Sequence, residues 1–151
     1  MTALEPEHSY RSGAAEPALP DETIGANLAR TARAHPERDA LVECASSRRW
    51  TYAQFDAATA DLARGLMAAG IAVGDRVGIW SPNCAEWVLL QYAAAKAGAI
   101  LVNLNPAYRE HEIQYTLQQS GTRLLVAATQ TKHSDYRQMV DQVQEIGRAH
   151  V

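Results

Sequence analysis

The sequence predicts an α/β fold, a partial parallel sheet with helices on both faces preceded by a small antiparallel hairpin. Three observations carry this expectation. Between residues 93 and 108 helical spacing gives way to an almost unbroken apolar run and then to a turn. Residues 76–80 and 123–127 are further short apolar runs, and helical patterns separate all three, so strand and helix alternate as the right-handed crossovers of a parallel sheet require. Ahead of them, residues 40–44 and 48–52 are extended runs joined by Ala45-Ser46-Ser47, the pattern of a hairpin.

In chain order, residues 1–20 are rich in Ala, Glu, Pro and Ser with few large apolar groups. Such a segment cannot bury enough surface to offset its ordering entropy, and it is expected to be a loosely ordered arm. Residues 21–145 read as one incomplete domain. Within it, 23–34 place Ile24, Leu28 and Ala32 at helical spacing, with Asp21 or Glu22 at the favourable end and His35-Pro36 as the stop. Thr51 followed by Gln54 is a capping box, after which Tyr52, Phe55, Thr59, Leu62 and Leu66 share a face as far as Gly70. Gly74-Asp75 turns the chain into the strand at 76–80. Asn83 with Glu86 is a second capping-box-like start, for a helix burying Trp87, Val88, Leu90 and Ala94. Lys96 falls in that helix's last turn, where a cation suits the carbonyl end, and Gly98 can take the left-handed conformation that ends it. The run 99–104 lacks in-and-out alternation, so it is expected to be a central strand buried on both faces. A third helix, 109–120, packs through Ile113 and Leu117 and stops at Gly121. Ser134 is the expected cap of a fourth, with Tyr136, Met139, Val140 and Val143 facing inward.

With 151 residues, 47% of them hydrophobic, the chain can build a real core. The net charge of −3, with two widely separated lysines and scattered arginines, offers no basic stripe for nucleic acid. Cys44 and Cys84 stand apart from each other and from paired histidines, which excludes a disulfide scaffold and indicates no zinc site; both are expected to be buried small groups in a reducing compartment. Glu5 and Glu7 near the start are unlike a secretory or transit peptide, so a cytoplasmic location is expected. The longest apolar region, 87–104, is broken by Gln91, Lys96 and Gly98, and no membrane span is expected.

Candidate chemistry is sparse. Ligands of an open parallel sheet sit outside the carboxyl ends of its strands, which singles out Asn103, Asn105, Pro106 and Tyr108, although an ordinary turn explains the same residues. Ser81-Pro82-Asn83 also follows a strand and opens a helix whose amides could face an anion, and capping alone accounts for it equally well. Gly70, Gly74 and Gly78 span a helix end, a turn and a strand and cannot form one phosphate cradle. Glu110, His111 and Glu112 are adjacent on a helix and point apart, as a solvated face does. His8, His35, His133 and His150 are isolated and read as surface residues.

Four motifs carry a resemblance: Trp50-Thr51-Tyr52-Ala53-Gln54-Phe55, Gly74-Asp75-Arg76-Val77-Gly78-Ile79, Asn83-Cys84-Ala85-Glu86-Trp87, and the stretch from Lys96 through Leu101-Val102-Asn103-Leu104-Asn105-Pro106-Ala107-Tyr108 to Arg109. In this order and spacing the chain, from Ile24 to Val143, resembles the N-terminal part of the adenylate-forming, AMP-binding acyl-CoA synthetase superfamily. The last motif is most similar to the fatty-acyl and medium-chain acid-CoA ligase branch. The resemblance implies a full-length enzyme that joins a small-molecule carboxylic acid to CoA with ATP and Mg2+, through an acyl-adenylate. The phosphate-gripping loop ending in Pro-Lys and the downstream nucleotide and lysine motifs of that superfamily are missing from the sequence. No catalytic, cofactor-binding or metal-binding residue can therefore be carried over, and no cofactor is expected on this chain by itself.

The chain is accordingly expected to be an N-terminal fragment, inactive in isolation. Ile146-Gly147-Arg148-Ala149-His150-Val151 does not continue the last helix's apolar pattern and translates one frame of ATCGGAAGAGCACACGTC, a common short-read sequencing adapter, so 146–151 are expected to be a non-native tail. The alternatives are a stand-alone, non-catalytic α/β binding module, whose sheet edges would be covered or charged, and the same superfamily acting on an aromatic or amino acid.

Overall fold

The computed structural model describes residues 13, 21–131 and 134–148. The expected arm at 1–20 lies outside the described residues except for Gly13. Helix α1 (Ile24–Ala34) is followed by a hairpin, β1 (Asp39–Glu43) and β2 (Arg48–Thr51), paired antiparallel. Then come α2 (Tyr52–Ala68), β3 (Arg76–Trp80), α3 (Ala85–Lys96), β4 (Ile100–Leu104), α4 (Glu110–Ser120), β5 (Leu124–Ala127), the two-residue strands β6 (Gln130–Thr131) and β7 (Ser134–Asp135), and α5 (Tyr136–Arg148).

The elements begin where local chemistry starts them. The Thr23 side chain accepts from Ala26 N at the head of α1. At Thr51 the capping box closes both ways, its hydroxyl accepting from Gln54 N while the Gln54 side chain accepts from Thr51 N. The face of α2 is buried through Phe55, Thr59, Ala63 and Leu66, whereas Leu62, expected on that face, is 37% exposed.

The main sheet is parallel, in the order β4-β3-β5. One face carries Val77, Ile79, Ile71, Leu90, Ala93 and Ala94, packed by α2 and α3. The other gathers Trp80, Leu104, Ile113, Tyr136 and Met139, packed by α4 and α5. Helices thus cover both faces, as expected.

The strand expected at the centre is not there. β4 pairs on one side with β3, and Ile100 is 53% exposed; the doubly buried centre is β3, where Val77, Ile79 and Trp80 are at most 2% exposed. A continuous apolar run reports that helices lie above and below a strand, and is silent on how many strands lie beside it.

Two caps also differ. α3 has Cys84, not Asn83, at its cap position, and no side chain of its own caps it. α5 is capped by Asp135, whose carboxylate accepts from Gln138 N, because Ser134 is taken up in the β6–β7 pairing, a short hairpin absent from the sequence reading. Lys96 does not serve the α3 terminus: its ammonium donates to the Asp56 carboxylate and the Asp56 carbonyl, each at 2.7 Å, and ties α3 to α2. The backbone of α5 runs past the point where the sequence pattern lapses, to Arg148, and 149–151 lie outside the described residues. No helix among the described residues is long and apolar enough to cross a membrane.

Gly78, at the middle of β3, is there for space. A Cβ would stand 3.0 Å from Thr122 Cγ2, 3.1 Å from Leu104 Cδ1 and 3.3 Å from Leu125 Cδ1. Gly78→Ala is expected to destabilise the fold by about 1–3 kcal/mol through overpacking. Gly65→Ala, on α2 where an added Cβ meets nothing within 4 Å, should stabilise it by about 0.5–1 kcal/mol. Urea unfolding of the two variants checks the pair, and equal shifts would contradict the packing.

Candidate functional site

The connection leaving β3 leads to α3 on one face of the sheet, and the connection leaving β5 leads through β6 and β7 to α5 on the other. Adjacent parallel strands whose connections part in this way leave a crevice at their carboxyl ends, the usual ligand position in such sheets. A cleft of about 320 Å³ lies there, lined by Ile79, Ser81, Cys84, Glu86, Trp87 and residues 126–129. Ala128 N donates to the Trp80 carbonyl across its floor at 3.0 Å.

The polar groups at its mouth are already engaged. The Ser81 hydroxyl donates to the Pro82 carbonyl at 2.9 Å, a group that cannot take its proton, and lies 3.4 Å from Cys84 Sγ. That is not an activated nucleophile. The first amide of α3, Ala85 N, donates at 2.8 Å to Glu43 Oε1, reaching over from the hairpin. Arg48 then bridges two carboxylates, donating to Glu43 Oε2 at 2.7 Å and Glu86 Oε2 at 3.0 Å, with its guanidinium 5.4 Å from the Trp50 ring centre.

These contacts decide the fate of Ser81-Pro82-Asn83 as an anion site. The positive end of α3 is filled by the chain's own carboxylate, with Glu86 adding a second negative charge in the first turn. A polyphosphate does not fit there. Among the described residues no group of three or more His, Cys, Asp or Glu is placed to hold a metal ion. ATP, Mg2+ and CoA therefore find no donor set here, and no step is assigned to them on these residues.

The positions singled out after β4 are structural. Asn105 Oδ1 accepts from Ala107 N at 2.9 Å, and the Asn105 carbonyl accepts from Trp80 Nε1 at 3.0 Å. The Pro106 carbonyl accepts from the Tyr136 hydroxyl at 2.8 Å, and Tyr108 packs beside that cluster. Asn103 is exposed on the outer strand. His111 and Glu112 are exposed on α4, and His35 is exposed too; His8, His133 and His150 lie outside the described residues. The cysteines correct their expectation, for Cys44 is exposed at the start of the hairpin turn and Cys84 is half-buried at the cleft, both free. Sequence reasoning missed Glu43, the residue that caps α3, because its partner is 42 positions away and nothing local marks the pair.

Arg48 and the Glu86 backbone amide hold the Glu86 carboxyl down at about 2, below its ordinary 4.5. Glu43 is lowered by the Ser46 hydroxyl, the Ala85 amide and Arg48. Because both folded values lie below the unfolded one, the stability they add is fully present above pH about 4.5 and is lost as pH falls toward 2. The midpoint of urea unfolding is expected to drop over that window. Arg48→Met should shrink the drop, as should about 0.5 M NaCl, since Glu86 is 59% exposed and open to screening. A profile identical in Arg48→Met would show that the bridge carries none of the acid sensitivity.

Comparison with known proteins fits this geometry. The family model for the AMP-binding enzyme matches residues 28–150. The mitochondrial medium-chain acyl-CoA ligase ACSF2 of Homo sapiens is 41% identical over 135 residues, 89% of this chain and 22% of that protein. The crystal structure of the N-terminal domain of FACL13 from Mycobacterium tuberculosis superposes with a TM-score of 0.75 at 33% identity, covering 82% of this chain and 30% of that one. A Mycobacterium tuberculosis fatty acyl CoA synthetase gives a TM-score of 0.74 at 34% identity, over 81% and 23% of the two chains. The chain thus spans about a fifth of the length of the curated relatives it matches. With most of its length under the family model and its sheet superposing on these structures, it belongs to the AMP-binding enzyme family.

Proposed function

We propose that the chain is the N-terminal stretch of an AMP-forming fatty-acid-CoA ligase and that in isolation it forms no acyl-adenylate. The observation that carries this reading is the 41% identity to a medium-chain acyl-CoA ligase across 89% of this chain but 22% of that protein. The whole enzyme would convert a carboxylic acid, ATP and CoA into acyl-CoA, AMP and pyrophosphate, with Mg2+ on the nucleotide. What these residues contribute is scaffold: a covered β3, a crevice at its carboxyl end and a clamped turn after β4. The acid favoured is a fatty acid of medium length, on the strength of that relative and of the fatty acyl synthetase structures. A cytoplasmic location accompanies the reading, supported by two free cysteines, one of them exposed, which suit a reducing compartment.

A stand-alone binding module is disfavoured by the sheet itself. β4 and β5 are each hydrogen-bonded on one side among the described residues, and their sequences, Ile-Leu-Val-Asn-Leu and Leu-Leu-Val-Ala, hold no charge or proline to guard the outer edge.

The test has two arms. Purified alone, the chain should show no fatty-acid-dependent exchange of pyrophosphate into ATP. Put in place of the 135 matched residues of the human ligase, it should keep octanoyl-CoA formation within about tenfold, a loss of about 1.4 kcal/mol or less. An isolated chain that turns over ATP with a fatty acid, or a folded chimera that activates no fatty acid, would overturn the reading.

A further inference from the structure

β5 is hydrogen-bonded to β3 along one side, and among the described residues its other edge is free. Clefts lie beside this edge on opposite faces of the sheet. On the α3 face, the crevice of about 320 Å³ reaches Ile79, Trp87 and Val126. On the α4 and α5 face, a cleft of about 380 Å³ lies among Leu117, Leu125, Val140 and Val143. Consecutive residues line each of them, 126–129 in the first and 122–125 in the second. Since successive strand residues point to opposite faces, both clefts open onto the strand's edge rather than onto one face of it.

That arrangement selects its occupant. A helix laid along the edge would fill one cleft and leave the β5 backbone groups unpaired. A β-strand sends alternate side chains to both faces and hydrogen-bonds the edge, so it fills both clefts at once. The neighbouring pairs are parallel and covered on both faces, which calls for a parallel strand that is apolar on both sides. No residue of β5 opposes it with charge, and Arg123 just before it is held by the Asp75 carboxylate at 3.0 Å.

We propose that the free edge of β5 is the docking edge for an uncharged, apolar, parallel β-strand belonging to the rest of the longer ligase polypeptide, the 78% of the relatives' length that this chain does not span. The identity of the strand's source rests on the ligase reading above; the requirement for a strand rests on the two clefts.

The experiment is complementation. This chain is co-expressed with the human ligase lacking its 135 matched residues, and complex formation is measured by size-exclusion chromatography with light scattering, alongside octanoyl-CoA formation. A one-to-one complex is expected. Val126→Lys, at a position 36% exposed on the β5 edge, should weaken it by roughly tenfold or more, because a lysine would be buried at the new strand pair. Ile100→Lys, on the outer strand at the opposite side of the sheet, should leave it unchanged. Hydrogen exchange of the unmodified chain gives a second readout that no variant can spoil: residues 124–127 should gain protection in the complex. Failure to form a complex, equal binding by Val126→Lys, or unchanged exchange at 124–127 would overturn the proposal. A homodimer of this chain that Val126→Lys dissolves would assign the edge to a second copy and overturn it as well. An edge-dependent complex that makes no acyl-CoA would instead defeat the ligase reading and leave strand docking standing.

Discussion

Strand β3 has to be covered on both faces and held at both ends, and the other elements are arranged to do so. Its Trp80 is fully buried, and an indole of that size removes about 200 Å² from water, worth roughly 5 kcal/mol. Burial obliges the indole N–H to find an acceptor, and it finds the Asn105 carbonyl at 3.0 Å, so the turn after β4 is fixed by the end of β3. At the other end the Arg76 guanidinium donates to the carbonyls of Ser120 and Gly121, at 3.0 and 2.9 Å, satisfying the exposed end of α4. Gly121 is left-handed there, and a Cβ on it would press to 2.8 Å from that guanidinium. One strand therefore sets where the neighbouring connections stop and start.

What could be read from the sequence follows from how far each signal reaches. The capping box at Thr51, the left-handed glycines and the helical spacing of Phe55, Thr59 and Leu66 act within a few residues, and the elements they mark lie where expected. The lateral position of a strand is a different quantity. Residues 99–104 and 76–80 are both short apolar runs, and only pairing across the chain decides that the second is central and the first is outside. The same limit hid the Glu43 to Ala85 cap and the Asp135 cap, where a stronger local candidate, Asn83 or Ser134, stood nearby and lost to a group brought in by tertiary structure.

The motifs that point to the family say little about chemistry, and their placement explains why. Trp50 to Phe55 closes the hairpin and caps α2; Gly74 to Ile79 is a turn and β3; Asn83 to Trp87 opens α3; Lys96 to Arg109 runs from the end of α3 through β4 to the clamped turn. Each is a place where backbone geometry or a buried contact restricts the residue. Lys96, which sequence logic assigns to a helix terminus, spends its charge on Asp56 and holds two helices together. A motif can thus be diagnostic of a family because it builds the scaffold, while the reacting groups lie elsewhere.

The turn at 105–108 shows how completely this happens. Asn105 uses its side chain to accept from Ala107 N, which leaves its carbonyl for Trp80; Pro106, lacking an N–H, offers its carbonyl to Tyr136. The Trp80 and Tyr136 rings stand 4.3 Å apart, so β3 and α5 grip the turn together from the buried side. Every polar group that a ligand at the end of β4 would address on that side is therefore engaged by the chain itself. The same holds at α3, where Glu43 sits on the first amide. Nucleotide binding at the carboxyl ends of these strands has to come from groups carried on other segments, set down on a platform whose own hydrogen bonds are already made.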